Sequence, residues 1–221
     1  MRETSSISKR DGQLCCDAKD PISSALALDA FVPDGHWGAT GGAAFLAGAG
    51  GAATAIAYAL ATRAAGDAPS RVVVSDIDDA RLRALGDVMA TVDTGVPLEL
   101  VPCETAADND AVVARLPAGS LVVNATGLGK DRPGSPLTDA VRFPDRGLAW
   151  ELNYRGDLVF LEQARAQEAE RALVVEDGWT YFIHGWTQVI ADVFHVEIPT
   201  SGPGFDRLVA AADDVRAGVA S

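Results

Sequence analysis

Short apolar runs alternate with longer alanine-rich or amphipathic segments along most of the chain. The apolar runs predict six buried β-strands, at residues 43–47, 71–75, 98–101, 120–124, 148–152 and 172–175. The intervening segments predict helices at 51–65, 78–92, 107–116, 158–170 and 178–194, and a further helix near 205–217.

This alternation predicts an α/β fold with a doubly wound parallel sheet of the Rossmann type. Strands joined by helices form right-handed βαβ units, and the sheet is then covered on both faces. The valine-rich runs, such as Val72 to Val74, are apolar throughout, as expected for strands buried on both sides.

The first 36 residues do not follow the alternation. Residues 9–12 read as a turn, a helix could begin at Pro21, and Pro33-Asp34-Gly35 breaks the chain. The next stretch, 37–62, has no charge and is long enough to span a membrane. Its glycines, however, separate a strand-like run from a helix-like run, which favours a strand, a glycine loop and a helix.

Composition narrows the function classes. The chain has 221 residues and a formal net charge of −13, so we expect no nucleic acid and no membrane partner. Its three cysteines, Cys15, Cys16 and Cys103, show no metal-ligand spacing, and we expect no metal site. The N-terminus does not read as a signal peptide, which predicts a cytoplasmic protein.

The clearest motif is the run Gly48-Ala49-Gly50-Gly51-Ala52-Ala53 between the first predicted strand and helix. Gly48 would permit the tight turn, Gly50 would let a pyrophosphate approach the backbone, and Ala53 would allow close helix packing. The free N–H groups of the helix N-terminus would then bind the phosphates. The alternative is a glycine-rich turn that binds nothing.

A dinucleotide-binding motif of this type has an acidic residue at the end of the second strand, and this chain has one there. Asp76 ends the second predicted strand, and a carboxylate there can bind both ribose hydroxyls of NAD while repelling the 2′-phosphate of NADP. Asp78 and Asp79 add to that repulsion, and Arg81 is the nearby base. We therefore expect NAD in preference to NADP. The alternative for Asp76 is a helix cap or a solvated loop acid.

The loop after the fourth predicted strand is the third candidate feature. It contains Asn124 and Thr126 and falls where the strand order reverses in doubly wound sheets. Its small residues would let the backbone approach the nicotinamide ribose. The alternative is a plain turn.

The ordered set of motifs resembles the shikimate and quinate dehydrogenase family. The set is GAGGAA, then NAT-x-x-G, then Glu151-Leu152-Asn153-Tyr154, then Asp177-Gly178, and the resemblance covers roughly residues 8–200. The family reduces 3-dehydroshikimate with NADPH or oxidises quinate or shikimate with NAD. The acidic stretch 76–78, where NADP-using members carry an Asn-Arg-Thr type of loop, is similar to NAD-using members.

The resemblance also implies roles for individual residues. Asp20 falls on the aspartate that pairs with the catalytic lysine, Tyr154 on a substrate-site tyrosine, and Gly178 on a glycine near the nicotinamide. The family has a glutamine where this chain has Gly185, and Gln188 could replace it in substrate binding. The family's catalytic lysine lies in an earlier part of the substrate domain that has no counterpart here; Lys19 is an alternative base.

The implied organisation is a hinge or remnant of a substrate domain at 1–36, a dinucleotide-binding domain at 37–200 and a C-terminal helix at 201–221. A small-molecule substrate is expected, with a homodimer or a separate substrate-domain chain completing the enzyme. Two other functions stay open: a catalytically incomplete dinucleotide-binding module, and a Rossmann oxidoreductase with a different substrate.

Overall fold

The computed structural model describes residues 4–219, so the outermost residues of the predicted first and last segments, 1–3 and 220–221, lie outside the described residues. The elements in chain order are β1 (Ser6–Arg10), β2 (Gln13–Asp17), α1 (Asp20–Phe31), α2 (His36–Thr40), β3 (Ala44–Ala47), α3 (Gly51–Ala61), β4 (Val72–Asp76), α4 (Asp79–Met89), β5 (Leu98–Pro102), α5 (Ala106–Val113), β6 (Leu121–Asn124), β7 (Leu148–Glu151), α6 (Val159–Arg165), α7 (Glu168–Arg171), β8 (Val174–Glu176), α8 (Trp179–Phe194) and α9 (Gly202–Val219).

Six strands form one parallel sheet, in the order β5-β4-β3-β6-β7-β8. The order runs outward from β3 in one direction and from β6 in the other, so the chain switches direction between these two strands. This confirms the predicted doubly wound Rossmann sheet. The switch leaves a crevice at the carboxyl ends of β3 and β6, where such sheets bind ligands.

The sheet is packed on both faces because its central strands are apolar throughout. On one face, Leu46, Val74 and Trp150 join residues of α1, α3 and α4 in a single buried cluster. On the other face, Phe45 and Val122 pack with residues of α5 and α6 in a second cluster. Two apolar layers around one sheet hold the carboxyl ends of the strands in fixed positions.

The N-terminal segment forms an antiparallel hairpin of β1 and β2 that sequence reasoning did not predict. Its turn is shorter than the predicted 9–12, because residues 9 and 10 belong to β1. Asp11 and Gly12 both have positive φ, 49° and 80°, as a two-residue hairpin turn requires. Asp192 of α8 fastens the hairpin, accepting hydrogen bonds from Ser6 Oγ at 2.7 Å and from Arg10.

Several predicted boundaries shift. The predicted helix 51–65 ends at Ala61, and the predicted helix 158–170 is two short helices, α6 and α7. The second break places Gln167 in the interior, where its side-chain amide bonds the backbone of Val141 and Phe143. The uncharged stretch 37–62 contains α2, β3 and α3, and within residues 4–219 no helix is long and apolar enough to cross a membrane.

Candidate functional site

The glycine loop between β3 and α3 has the geometry that the motif predicts. Gly48 has a φ of 102°, and a Cβ there would meet the carbonyl oxygen of Ala125 at 2.8 Å, so glycine is required. Gly50 precedes the first turn of α3, and nothing lies within 4 Å of where its Cβ would be. An anion can therefore reach the free N–H groups that begin with Gly51.

Asp76 ends β4 directly beside this loop. Its Oδ2 accepts a hydrogen bond of 2.7 Å from the backbone N–H of Ala49, and its Oδ1 accepts one of 2.9 Å from the backbone N–H of Asp78. A carboxylate has about four acceptor positions, so capacity remains for a sugar hydroxyl. Asp78 caps α4 by accepting from the N–H of Ala80 and lies 3.8 Å from Arg81.

A cavity of about 400 Å³ opens on these residues. Its walls come from the ends of β4, β5 and β6 and include Gly48, Gly50, Asp76, Thr126 and Asn109. Five charged side chains of the described residues line it: Asp76, Asp78, Glu104, Arg81 and Arg132. Cys103 also lines it, and burial raises the pKa of its thiol, which favours the protonated form.

A second cavity, of about 330 Å³, lies on the other side of the loop at Ala125, Thr126 and Gly127. Because both cavities share these three residues, they form one groove along the carboxyl edge of the sheet. The second cavity is also lined by Ala52, Lys130, Leu152, Asn153, Tyr154, Gly178, Tyr181 and Phe182. The predicted residues Gly48, Gly50 and Asp76 thus lie at one end of the groove, and Tyr154 and Gly178 at the other.

Asn124 occupies a supporting position under the shared loop. It is fully buried, and its Oδ1 accepts hydrogen bonds from the backbone N–H and the hydroxyl of Thr126, at 3.0 and 2.6 Å. Its Nδ2 donates to Glu151 Oε2 at 2.7 Å. Asn124 therefore shapes the loop that lines the groove, whereas Thr126 itself faces the groove.

Glu151 is a residue of this site that sequence reasoning did not single out. Its side chain is fully buried and accepts hydrogen bonds from Asn124 Nδ2, Asn153 N and Asn153 Nδ2. Burial raises the pKa of the Glu151 carboxyl to about 7, against the effect of these three donors. The available signal was an acid at the end of an apolar strand, inside the motif Glu151-Leu152-Asn153-Tyr154.

Aromatic side chains wall the second cavity. The Tyr154 ring lies 4.3 Å from that of Phe182, which stacks on Trp179 at 5.3 Å. Gly178 precedes α8, and a Cβ there would meet the carbonyl oxygen of Leu152 at 2.0 Å. Only glycine lets the start of α8 come this close to the end of β7.

Asp20, Gln188 and Lys19 lie elsewhere. Asp20 begins α1 and accepts a hydrogen bond from Ser5 Oγ at 3.0 Å. The Lys19 ammonium is 3.3 Å from Asp192 Oδ1, in the cluster that fastens the hairpin. Gln188 is half-buried on α8. None of the three is among the described residues that line the two cavities, and the roles of Asp20 and Gln188 stay predictions.

Comparison with solved structures gives the same fold. Quinate dehydrogenase from Corynebacterium glutamicum in complex with NAD superposes with a TM-score of 0.65 and 24% identity, covering 86% of this chain and 61% of that one. Shikimate 5-dehydrogenase from Listeria monocytogenes, in complex with shikimate and NAD, has a TM-score of 0.65 and 20% identity, with coverages of 88% and 64%. Shikimate 5-dehydrogenase from Thermus thermophilus, in complex with shikimate, has a TM-score of 0.60 and 26% identity, with coverages of 93% and 66%.

The chain thus spans less than two thirds of the length of these structures. No family model and no curated protein sequence matches it. Over most of its own length the chain has the fold of shikimate and quinate dehydrogenases, and the predicted resemblance to that family is confirmed.

Proposed function

We propose that the chain is the nucleotide-binding part of a shikimate- or quinate-type dehydrogenase. The reaction is hydride transfer between a nicotinamide cofactor and a cyclic polyol acid such as quinate or shikimate. One observation carries the proposal: the open backbone at Gly50, where α3 begins, lies next to the carboxylate of Asp76. A diphosphate and the adjoining ribose require these two features side by side.

NAD is the proposed cofactor. At the ribose end of the groove, Asp76 and Asp78 are both lining residues, and Arg81 lies 3.8 Å from Asp78. A 2′-phosphate would meet two carboxylates there, while the nearby guanidinium already has an acidic neighbour. Repulsion between the 2′-phosphate and these carboxylates disfavours NADP, whereas the ribose hydroxyls of NAD can donate hydrogen bonds to Asp76. The quinate dehydrogenase of similar fold was solved with NAD, which supports the same choice.

The nicotinamide is proposed to occupy the second cavity, where bound NAD would supply the hydride acceptor. Gly178 leaves room for its ring near the end of β7, and Tyr154 and Phe182 provide a flat apolar wall. Lys130 is the one cationic side chain among the described residues lining this cavity. Its ammonium lies 3.5 Å from Asp131, which does not line the cavity, and we propose that it turns to the carboxylate of a polyol acid.

The proposed reaction also needs groups that accept the proton of the substrate hydroxyl. Asp20, by its family position, would act together with a lysine to accept the hydroxyl proton. Lys19 is held by Asp192 rather than directed at the groove, so we do not propose it as that lysine. Because Lys19 is held by Asp192, a second candidate function is also favoured: a dinucleotide-binding module. Such a module would need a lysine from another chain, or from a further part of a longer chain, for catalysis.

Calorimetric titration with NAD and with NADP tests the cofactor, and a screen of quinate and shikimate oxidation with NAD tests the reaction. We expect NAD to bind more tightly than NADP. Equal or tighter binding of NADP would overturn the cofactor assignment, and no binding of either would overturn both candidate functions. Binding of NAD without oxidation of either acid would favour the binding module over the enzyme.

A further inference from the structure

A groove of about 660 Å³ lies between α9 and the helices α1 and α8. Among residues 4–219, it shares no lining residue with the two cavities at the carboxyl edge of the sheet. Its volume is in the range of small-molecule sites. The proposed oxidoreductase function makes no use of it.

One buried side chain in the wall of this groove has a nitrogen without a hydrogen-bond partner in the described part of the chain. His184 of α8 lines the groove, is 2% exposed and stacks on Phe205 of α9, with the ring centroids 4.3 Å apart. Its Nδ1 has no hydrogen-bond partner within residues 4–219. Burial lowers the pKa of this imidazole, so the ring is neutral and one nitrogen can accept a hydrogen bond. An unpaired buried nitrogen costs stability that a ligand N–H could restore.

The rest of the groove is acidic. Asp29, Asp206 and Asp213 line it, and no lysine or arginine is among the described lining residues. Asp29 already pairs with Arg63 at 2.7 Å. Asp213 accepts a hydrogen bond of 2.6 Å from Trp179 Nε1, which carries no charge. Asp206 and Asp213 therefore present two negative charges that no cation within 4 Å balances in the described part of the chain.

The spacing of these two carboxylates limits the shape of a ligand. They lie seven residues apart on α9, about two helical turns or ~10 Å. Val209 and Ala210 fall between them on the same face and also line the groove. A ligand that fits has a positive charge at each end, methylene groups against Val209 and Ala210, and an N–H group between its ends for His184.

We propose that this groove binds an aliphatic polyamine. The terminal ammonium groups pair with Asp206 and Asp213, and the methylene chain lies along Val209 and Ala210. An inner N–H of the polyamine donates to the imidazole of His184. The proposal is independent of dinucleotide binding, since no described residue lines both sites.

Calorimetric titration of the full chain with spermidine at low ionic strength tests this site. We expect one spermidine per chain, and weaker binding of the diamine putrescine, which has no inner amine to donate to His184. Asp206→Asn and Asp213→Asn should each weaken spermidine binding about fivefold. Asn at 213 keeps an oxygen for the Trp179 N–H, so α9 stays in place.

The matched control separates a built site from general attraction to an acidic protein. Asp214 is exposed on the same helix but does not line the groove, so Asp214→Asn should leave spermidine binding unchanged. An equal loss in Asp214→Asn would mean that only the net charge of −13 attracts the amine and would overturn the proposal. Equal affinity for putrescine would overturn the contact between the inner amine and His184.

A nitrogen NMR spectrum gives a second readout at His184. Spermidine should shift the imidazole nitrogen resonances, and NAD should not. An unchanged His184 signal at saturating spermidine would overturn its assigned contact. Unaltered NAD affinity in all three aspartate variants would verify that their dinucleotide-binding fold is intact, so that a loss of spermidine binding reports on the groove.

Discussion

The carboxylate of Glu151 is joined to the side-chain amide of Asn124 by a fully buried hydrogen bond of 2.7 Å. The bond connects the carboxyl ends of β7 and β6. Asn124 in turn holds Thr126, and Glu151 holds Asn153, so both loops that border the second cavity depend on this one contact. Glu151 therefore sets the shape of the groove along the carboxyl edge of the sheet, although it is not among the described residues that line it.

Replacing this carboxylate should weaken both the fold and the groove. Glu151→Gln places an amide NH₂ against donors from Asn124 and Asn153, because the Glu151 oxygens accept all three of these hydrogen bonds. Leaving one buried donor unpaired should cost about 1–3 kcal/mol in the free energy of unfolding. Urea denaturation measures this loss, and NAD affinity should fall with it. Glu168→Gln, at an exposed site, is the control, and an equal loss there would contradict the role of Glu151.

The same residue should make stability depend on pH. The pKa of Glu151 is raised from 4.5 to about 7 on folding, so between these values the folded state holds a proton that the unfolded state has released. The stabilisation is complete below pH 4.5 and is lost as the pH rises through 7, by about 3 kcal/mol in total. Burial of His184 acts in the opposite sense: its pKa is lowered, so the stability that this group contributes is lost as the pH falls below 6.5.

The comparison of variants isolates the Glu151 contribution. In Glu151→Gln the fall in unfolding free energy between pH 4.5 and 7 should be absent, while the His184 contribution persists. Urea denaturation at a series of pH values in both proteins gives the difference. Parallel curves for the variant and the parent protein would show that Glu151 does not titrate in this range.

The sheet could be predicted from sequence because its strands are apolar on both faces. Val72 to Val74 are all apolar, so the strand is evident from the sequence. The glycine loop directly follows another apolar run, β3. The hairpin is the opposite case. In β1 the small polar side chains of Ser6 and Ser8 are buried, at 4% and 3% exposure, while Ile7 is 59% exposed.

Contacts between distant residues explain this inverted pattern. Ser6 faces inward because its hydroxyl donates to Asp192, which lies 186 residues away in the sequence. Glu151 was missed for a similar reason, since its partner Asn124 is 27 residues away. Local patterns report burial of apolar side chains, and they carry no information on which buried polar group meets which.

Removal of the proposed ribose-binding acid should change cofactor selectivity. Asp76→Ala removes the acceptor of a ribose hydroxyl and should weaken NAD binding about tenfold, the effect of losing one charge-assisted hydrogen bond. It should also reduce the preference for NAD, because one carboxylate no longer repels the 2′-phosphate. Calorimetric titration with both nucleotides measures the two effects.

Two further variants sharpen this test. Asp76→Asn keeps an oxygen for the Ala49 N–H, so the glycine loop is preserved while the charge is lost. Its discrimination against NADP should fall as in Asp76→Ala. Asp87→Asn removes an exposed carboxylate from α4 outside the cavity and should change neither affinity. If both nucleotides bind the Asp76 variants as they bind the parent protein, Asp76 is not part of the site.

Substitution by alanine should affect ligand binding at Gly50 and protein stability at Gly48. Gly50 has an ordinary φ of −79° and free space around it, so Gly50→Ala should change the free energy of unfolding by less than about 1 kcal/mol. Its new methyl group would occupy the space that the diphosphate needs, and NAD affinity should fall about tenfold or more. Gly48→Ala should instead destabilise the protein by about 1–3 kcal/mol, because it forces a Cβ into positive φ and onto the carbonyl of Ala125. Urea denaturation and NAD titration of both variants check this contrast; a Gly50→Ala protein that keeps full stability and full NAD affinity would remove the start of α3 from the binding site.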